Sequence, residues 1–551
     1  MTPLFHRHNA LHLAAVALLT ALVLLATGCH RSPANTKDNG ADVKIFLLTT
    51  NDLHGRLEPF ARQTDQRTQF VGGFAGLAAQ MSRIEQEETG AVLRLNSGDT
   101  LTGPFAVHFN GAALFGGLSR MGIDAATLGN HELDRGPEVL ALALKHCAFP
   151  MVITNVDIPS GHVLKGALKP FCLFERAGKR LLVIGLLTPE LPHISSPGSG
   201  MTVLDPGGAE MRERIRAIIK EHRPDLVIAL THLGLEEDRL LARRIPGIDV
   251  ICGGHSHDLL PAGEAATVTH ADGRQTVIVQ AGAGGIALGV LRIRLKPDMQ
   301  PDYAWLPRGI NTSSAQCPHM LEFIEGYRAT LPPVQALTTT DTVIDCRAAI
   351  LRSQEAPIGN FIADSLREHF NTDVALYNGG GIRGDSMLPA GVLTSMDVET
   401  MLPFNNEAVV INMPGAMLRQ VLERSVAHLP QPWGGFLQVS GLRMRVDPQP
   451  QSRQHDQPGY VHATAPVQRI SGVDIRGTDD VYRPLAPDQV YRIVTNSFLA
   501  RGGNGYFEFS EATAEVPTGA ILRDIIMHRL AEKPHHSFTT DGRISITTSG
   551  E

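Results

Sequence analysis

Asp, Asn and His residues gather in five short clusters of the chain: Asn51-Asp52-Leu53-His54, Ser97-Gly98-Asp99, Gly129-Asn130-His131-Glu132, Thr231-His232 and Gly253-Gly254-His255-Ser256-His257. A donor set of carboxylate, amide oxygen and imidazole without thiolate suits Zn²⁺, Mn²⁺, Fe or Co²⁺ better than Ca²⁺. Asp52 and His54 stand at i and i+2, as do His255 and His257, a spacing that an extended backbone directs to one side. Taken singly, each cluster has an ordinary use as a solvated pair, a turn or, for Asn130, a helix cap. Five such clusters in one chain point instead to a metal centre.

The elements around the clusters explain how they would meet. Apolar, strand-length runs at 43–50, 91–96, 124–128, 225–230 and 249–252 each end at one of them, and further runs lie at 151–155, 181–187 and 276–279. Helical segments separate many of these runs, which predicts α/β layers. In such sheets functional groups collect at the carboxyl ends of the strands. Unbroken apolar runs such as Leu-Val-Ile-Ala-Leu at 226–230 predict strands covered on both faces. The region 315–336 reads as a helix closing on Pro332-Pro333, and a second strand–helix series starts at 342. Domains are therefore expected at 43–314 and 337–551, with a linker helix between. The polar stretch 447–460 has no apolar periodicity and reads as a surface excursion.

The 551-residue length exceeds one ordinary domain, and 43% hydrophobic with 19% charged residues describes a globular chain. A net charge of −7 argues against a nucleic-acid polymer as partner, while a metal or arginine pocket still lets a small anion bind. His6, Arg7 and His8 precede an apolar run from residue 11 to 26, so residues 1–29 read as an export signal. Ala26-Thr27-Gly28-Cys29 resembles the lipobox of bacterial lipoproteins, which implies acylation at Cys29. His30, where lipoproteins retained in the inner membrane have Asp, implies an outer-membrane anchor facing the periplasm, with residues 30–42 as a polar tether. Five thiols then remain, at Cys147, Cys172, Cys252, Cys317 and Cys346; an odd number leaves one or more free.

Together the five clusters resemble the calcineurin-type metallophosphoesterases. That resemblance implies a four-layer α/β/β/α domain holding two divalent ions, of which Zn, Mn or Co would serve. Asp52, His54 and His257 would bind one ion, Asn130, His232 and His255 the other, and Asp99 would bridge them. Such a pair supplies hydroxide near neutral pH and offsets phosphoryl charge. His131 would stabilise the transition state or protonate the leaving oxygen, with Asp134 orienting its ring. Glu132 receives no role.

The second half has signals of its own. Arg352 to Asn360 precede an apolar-periodic helix at 361–370, and Tyr377-Asn378-Gly379-Gly380-Gly381-Ile382-Arg383 follow a strand at 373–376. Glycines there let backbone approach a ligand, and Arg383 can hold a phosphate or carboxylate bidentately. With the first half in place, these segments resemble the smaller α/β C-terminal domain of 5′-nucleotidases. The resemblance implies that Arg352, Asn378 and Arg383 bind substrate, and that Phe404 and Phe498 sandwich a nucleobase. Asn504 falls at the ribose-binding position, where the family commonly has Asp. The implied activity is hydrolysis of nucleoside 5′-phosphates. A 2′,3′-cyclic-nucleotide phosphodiesterase, a nucleotide-sugar hydrolase and a non-catalytic nucleotide receptor remain as alternatives.

Overall fold

In the computed structural model, residues 42–63, 68–297, 299–448, 468–514 and 518–547 are described. The export signal with Cys29, the tether up to residue 41 and positions 449–460 of the polar stretch lie outside the described residues.

The first half is built on two sheets. In one, Val43–Thr50 lies centrally, parallel to Ala91–Asn96 with Ile45 opposite Ala91, and antiparallel to Ala287–Leu295. In the other, Lys179–Leu187, Leu226–His232, Val250–Cys252 and Gln275–Val279 run parallel to one another. The two-residue side-chain period splits each strand between two cores. Ile45 and Leu47 meet Leu181, Val183, Ile228 and Leu230 between the sheets. Phe46 and Leu48 point the other way, into a cluster with helices Phe74–Glu87, Ala112–Arg120 and Pro318–Arg328. Leu182, Ile184 and Leu186 do the same on the far side, against Ala209–His222 and Leu235–Arg244. The layer order is thus α/β/β/α. Phe74, Leu77, Ala78, Met81 and Ile84 form the buried stripe of the first of these helices, at the spacing a helix needs to cover a sheet.

Two runs are shorter as strands than their apolar content predicts. The run at 151–155 contributes only Met151–Val152 to the first sheet. Thr154 and Asn155 cross to the second: Thr154 N donates to Gly185 O at 2.7 Å, and Asn155 exchanges two bonds with the Leu187 backbone. Similarly, only Ala125–Thr127 of the run at 124–128 is strand. The helix expected within 315–336 is Pro318–Arg328, which packs Met320 and Ile324 against the outer core of the first sheet.

In the second half a five-stranded sheet has the order Leu437–Ser440, Val374–Asn378, Val490–Asn496, Ala408–Pro414, Thr513–Ala514. Val374, Leu376, Val409 and Ile411 face one core, and Ala375, Tyr377, Val410 and Val494 the other. The helix expected to begin at 361 spans Pro357–Phe370 instead. Pro357 pre-sets the helical φ of its first turn, and Gly359 is needed because a Cβ there would lie 2.4 Å from Gln438 Oε1. The strand expected at 373–376 likewise extends to Asn378.

Candidate active site

Every cluster named from the sequence sits at the carboxyl end of a strand, and the site forms where the ends of both sheets of the first half face the second half. The backbone there is not extended. Asp52, His54, Asp99, His255 and His257 all have φ between 47° and 82°, which corrects the expectation of an extended i, i+2 display. A left-handed residue other than glycine costs about 1–3 kcal/mol and persists only where its surroundings enforce it. Here the loops are tied together: Asp52 N donates to Gly98 O at 3.0 Å, His54 N to Asp99 O at 2.9 Å and Gly55 N to Thr100 O at 3.0 Å. The curled turns still converge their side chains, with a sharper change of direction than a strand allows.

Three donor groups lie within 4.8 Å of one another: Asp52, His54 and His257; His54, Asp99 and His131; Asp99, His232 and His255. His54 Nε2 and His257 Nε2 are 2.9 Å apart, and His257 Nε2 is 3.4 Å from Asp52 Oδ1. His232 Nε2 is 3.1 Å from Asp99 Oδ2, buried and without an aligned hydrogen bond, while its Nδ1 donates to Ser97 O at 2.8 Å. That carbonyl takes the Nδ1 hydrogen, so Nε2 is the nitrogen that faces the carboxylate. His255 Nδ1 is 3.0 Å from Asn130 Oδ1. Imidazole nitrogens and carboxylate oxygens aimed at shared points are the arrangement a divalent cation satisfies, and the residues present fit such ions.

The protonation states agree. Burial, then the His257 charge, hold His54 well below its usual range, and burial with His232 brings His255 down to about 4; both imidazoles are held neutral. Burial alone would raise the Asp99 carboxyl, yet His232 and His131 hold it well below the carboxylate range. His232 is the exception: against burial, Asp99 pulls it up to about 10, so an arriving cation there displaces a proton.

At the edge of this group, His131 Nδ1 meets Asp134 Oδ2 at 2.5 Å. Asp134 is itself held by Ser195, whose Oγ donates to Oδ1 at 2.9 Å and also lies 2.7 Å from Asn130 O. Burial works to lower the His131 imidazole, but Asp134 and then Asp99 raise it overall. Its other nitrogen, Nε2, is 3.1 Å from Arg383 Nη2 of the second half. Phe404 lies nearly parallel to the His131 ring, with centroids 6.0 Å apart.

One cavity of about 960 Å³ joins the two halves. Asp99, Asn130, His131, Asp134, His255 and His257 line one wall; Arg352, Asn378, Arg383, Phe404, Phe498 and Asn504 line the other. Asp52, His54 and His232 lie behind that wall, reaching it through their contacts with Asp99 and His257. Arg352 is pushed down to about 10 by burial and by Arg383, and its Nε has no hydrogen-bond partner among the described residues. Two buried or cavity-lining guanidinium groups that repel each other, offset only in part by Asp385, favour an anion beside them. The five cysteines at 147, 172, 252, 317 and 346 are free thiols and take no part.

Sequence reading passed over three contributors. Glu132 is buried and accepts four backbone N–H groups, from Asp99 (2.9 Å), Thr100 (2.6 Å), Leu101 (3.2 Å) and Gly129 (2.6 Å). It therefore shapes both loops that carry Asp99 and Asn130. Burial and Asp99 push its carboxyl up, and those N–H donors act against the shift. Glu132→Gln places an NH₂ group against N–H donors. It is expected to lower stability by about 2–4 kcal/mol, read by urea denaturation, and to weaken metal retention. Ser195 and Trp433 are the other two; Trp433 lines the cavity and stacks on His428 with centroids 4.5 Å apart. The Gly129-Asn130-His131-Glu132 cluster contains the first without disclosing its role, whereas Ser195 and Trp433 stand in no motif.

Comparison with known proteins agrees with both halves. Calcineurin-like phosphoesterase sequences match residues 47–259, and the 5′-nucleotidase C-terminal domain matches residues 335–511. The chain is 30% identical to the 5′-nucleotidase of Mus musculus over 546 residues, covering 92% of this chain and 91% of that one. It is 29% identical to the Homo sapiens 5′-nucleotidase over 565 residues, covering 96% and 94%. The crystal structure of a 5′-nucleotidase precursor from Thermus thermophilus superposes with a TM-score of 0.81 at 30% identity, covering 91% of this chain and 99% of that one.

Proposed function

Because this chain belongs to the 5′-nucleotidase family and is a metal-dependent phosphoester hydrolase acting on nucleotides, we propose that it is an exported enzyme converting nucleoside 5′-phosphates to nucleoside and phosphate. The observation that carries this reading is the 3.1 Å approach of Arg383 to His131 inside a cavity shared with Phe404 and Phe498. A phosphate held by Arg383 and Arg352 would lie beside the Asp/His cluster, and the nucleoside attached to it would lie along the wall carrying the two phenylalanines.

Two divalent ions, one at Asp52, His54 and His257 and one at Asn130, His232 and His255 with Asp99 between, would supply the activated water and the charge that hydrolysis of a phosphomonoester needs. The chain's own groups do the rest. Arg383 and Arg352 neutralise and orient the phosphate. His131 presents Nε2 toward the leaving O5′, with Asp134 and Ser195 holding the ring on its other side. Phe404 and Phe498 give a base apolar faces that tolerate any nucleobase. We assign the phosphoesterase part to residues 43–314, the linker helix to 315–336 and the substrate-binding part to 337–551. Residues 1–29 would direct export, and Cys29 would carry the lipid anchor.

Phosphate release from 5′-AMP and 3′-AMP tests the proposal, using protein that begins after residue 29 and added Mn²⁺, Co²⁺ or Zn²⁺. Turnover of 5′-AMP well above 3′-AMP is expected. Chelation should abolish it, and re-addition of metal should restore it. Equal rates on both isomers, or turnover that survives chelation, would contradict it.

A further inference from the structure

Resting on that reading of the cavity, a chain of three side-chain amides fixes what its sugar edge can recognise. Leu499 N–H is a donor only, and it donates to Asn496 Oδ1 at 2.8 Å. The Asn496 amide must therefore present Nδ2 to its next neighbour, and it donates to Asn378 Oδ1 at 2.8 Å. Asn378 Nδ2 in turn donates to Asn504 Oδ1 at 3.1 Å. Each link is set by the one before it, so no amide in the series is free to turn over. Asn496 and Asn378 are buried, whereas Asn504 is only half-buried and lines the cavity. Asn504 Oδ1 accepts from Asn378, which fixes its Nδ2 as the donor that the side chain brings to the cavity wall.

Asn504 lies between the residues proposed to hold the phosphate and the base. It touches Asn378, on the strand that leads to Arg383, and it follows Gly503, which packs closely against the Phe498 ring. A nucleotide with its phosphate at Arg383 and its base at Phe498 would bring its ribose alongside Asn504. Arg501, exposed on the same cavity wall three residues before Asn504, makes no ion pair among the described residues. An amide donor and a guanidinium recognise an acceptor, and a charged phosphate oxygen is a stronger acceptor than a hydroxyl. We propose that the Asn496–Asn378–Asn504 relay, with Arg501, adapts this site to nucleoside 5′-phosphates that carry a second phosphate ester on the 2′,3′ edge of the ribose. In the reaction, water oxygen bonds to the 5′ phosphorus and the O5′–P bond breaks. O5′ takes the proton, and the products are inorganic phosphate and a nucleoside 2′- or 3′-phosphate.

The test compares kcat/KM for 5′-AMP, adenosine 3′,5′-bisphosphate and adenosine 2′,5′-bisphosphate, with product identification, in the unaltered protein, Asn504→Asp and Arg501→Gln. The unaltered protein should use one bisphosphate, 3′ or 2′, at least as well as 5′-AMP. The bisphosphate to 5′-AMP ratio should fall about tenfold or more in Asn504→Asp, the scale of one charge-assisted hydrogen bond turned to repulsion. Aspartate keeps the oxygen that Asn378 needs, so the relay and the fold are preserved. Arg501→Gln should lower the same ratio. Rejection of both bisphosphates by more than about tenfold relative to 5′-AMP, or a ratio unmoved by Asn504→Asp, overturns the proposal. If no nucleotide is hydrolysed, the proposed function fails, and calorimetric binding of the same three nucleotides decides this point separately. Bisphosphate binding at least as tight as that of 5′-AMP supports it, and binding about tenfold weaker overturns it.

Discussion

Asp99→Asn is expected to lower turnover of 5′-AMP by about 10³-fold or more, with loss of bound metal and with the chain still folded. Asp99 is the one carboxylate that belongs to two of the three donor groups. Its Oδ2 lies 3.1 Å from His232 Nε2 and 3.7 Å from His131 Nε2, and its Oδ1 accepts the His131 backbone N–H at 2.8 Å. An amide there removes the negative charge that would balance two cations. It also turns an N–H₂ group toward one of two neighbours that themselves need an acceptor. Metal content after dialysis and phosphate release, read beside the thermal midpoint, check this. Retained metal with near-normal turnover would mean that Asp99 is not a shared ligand.

His131→Ala is expected to fail in a different way. Turnover should drop by about 10²–10⁴-fold, the usual scale of a positioned acid, while metal content stays near that of the unaltered protein. Its Nδ1 is taken by Asp134 and its Nε2 faces Arg383, so the ring serves the cavity more than it serves the cluster. Burial opposes a charge on this imidazole, but Asp134 and Asp99 raise it, which suits a group that gives a proton to a leaving oxygen. A protein that only bound nucleotides would lose little function on this substitution. Metal lost together with activity would move His131 into the ligand set, beside His54 and Asp99.

The parts of the site legible in the sequence are those whose chemistry is local. Asp52-x-His54, Gly98-Asp99 and His255-x-His257 follow apolar runs directly, so strand ends and donor types are read together. What escaped depends on distant chain. The left-handed turns at Asp52, His54 and Asp99 lie in loops tied by hydrogen bonds between 52–55 and 98–100, and His255 N–H donates to the Asp52 carboxylate. Glu132 acts on backbone N–H groups 31 to 33 residues before it, and nothing in its own neighbourhood announces them. Arg383 meets His131 across 252 residues. Trp433 reaches the cavity beside Leu437–Ser440, the strand paired with Val374–Asn378. The early start of the helix at Pro357 is hidden because Gly359 and Asn360 resemble loop residues; Gly359 is explained by its close approach to Gln438 of the sheet, and Asn360 by its hydrogen bond to Glu355.

Whether the second half reads the nucleoside is the central claim, and the relative kcat/KM for 5′-AMP and a plain aryl phosphate tests it most directly, in the unaltered protein and in Phe404→Ala with Phe498→Ala. The cavity predicts a strong preference for 5′-AMP. That preference should fall about tenfold or more when both rings are removed, since stacking is worth about 1–3 kcal/mol per base, while aryl phosphate turnover changes far less. Equal use of both substrates, or a preference that survives loss of both phenylalanines, would contradict the account.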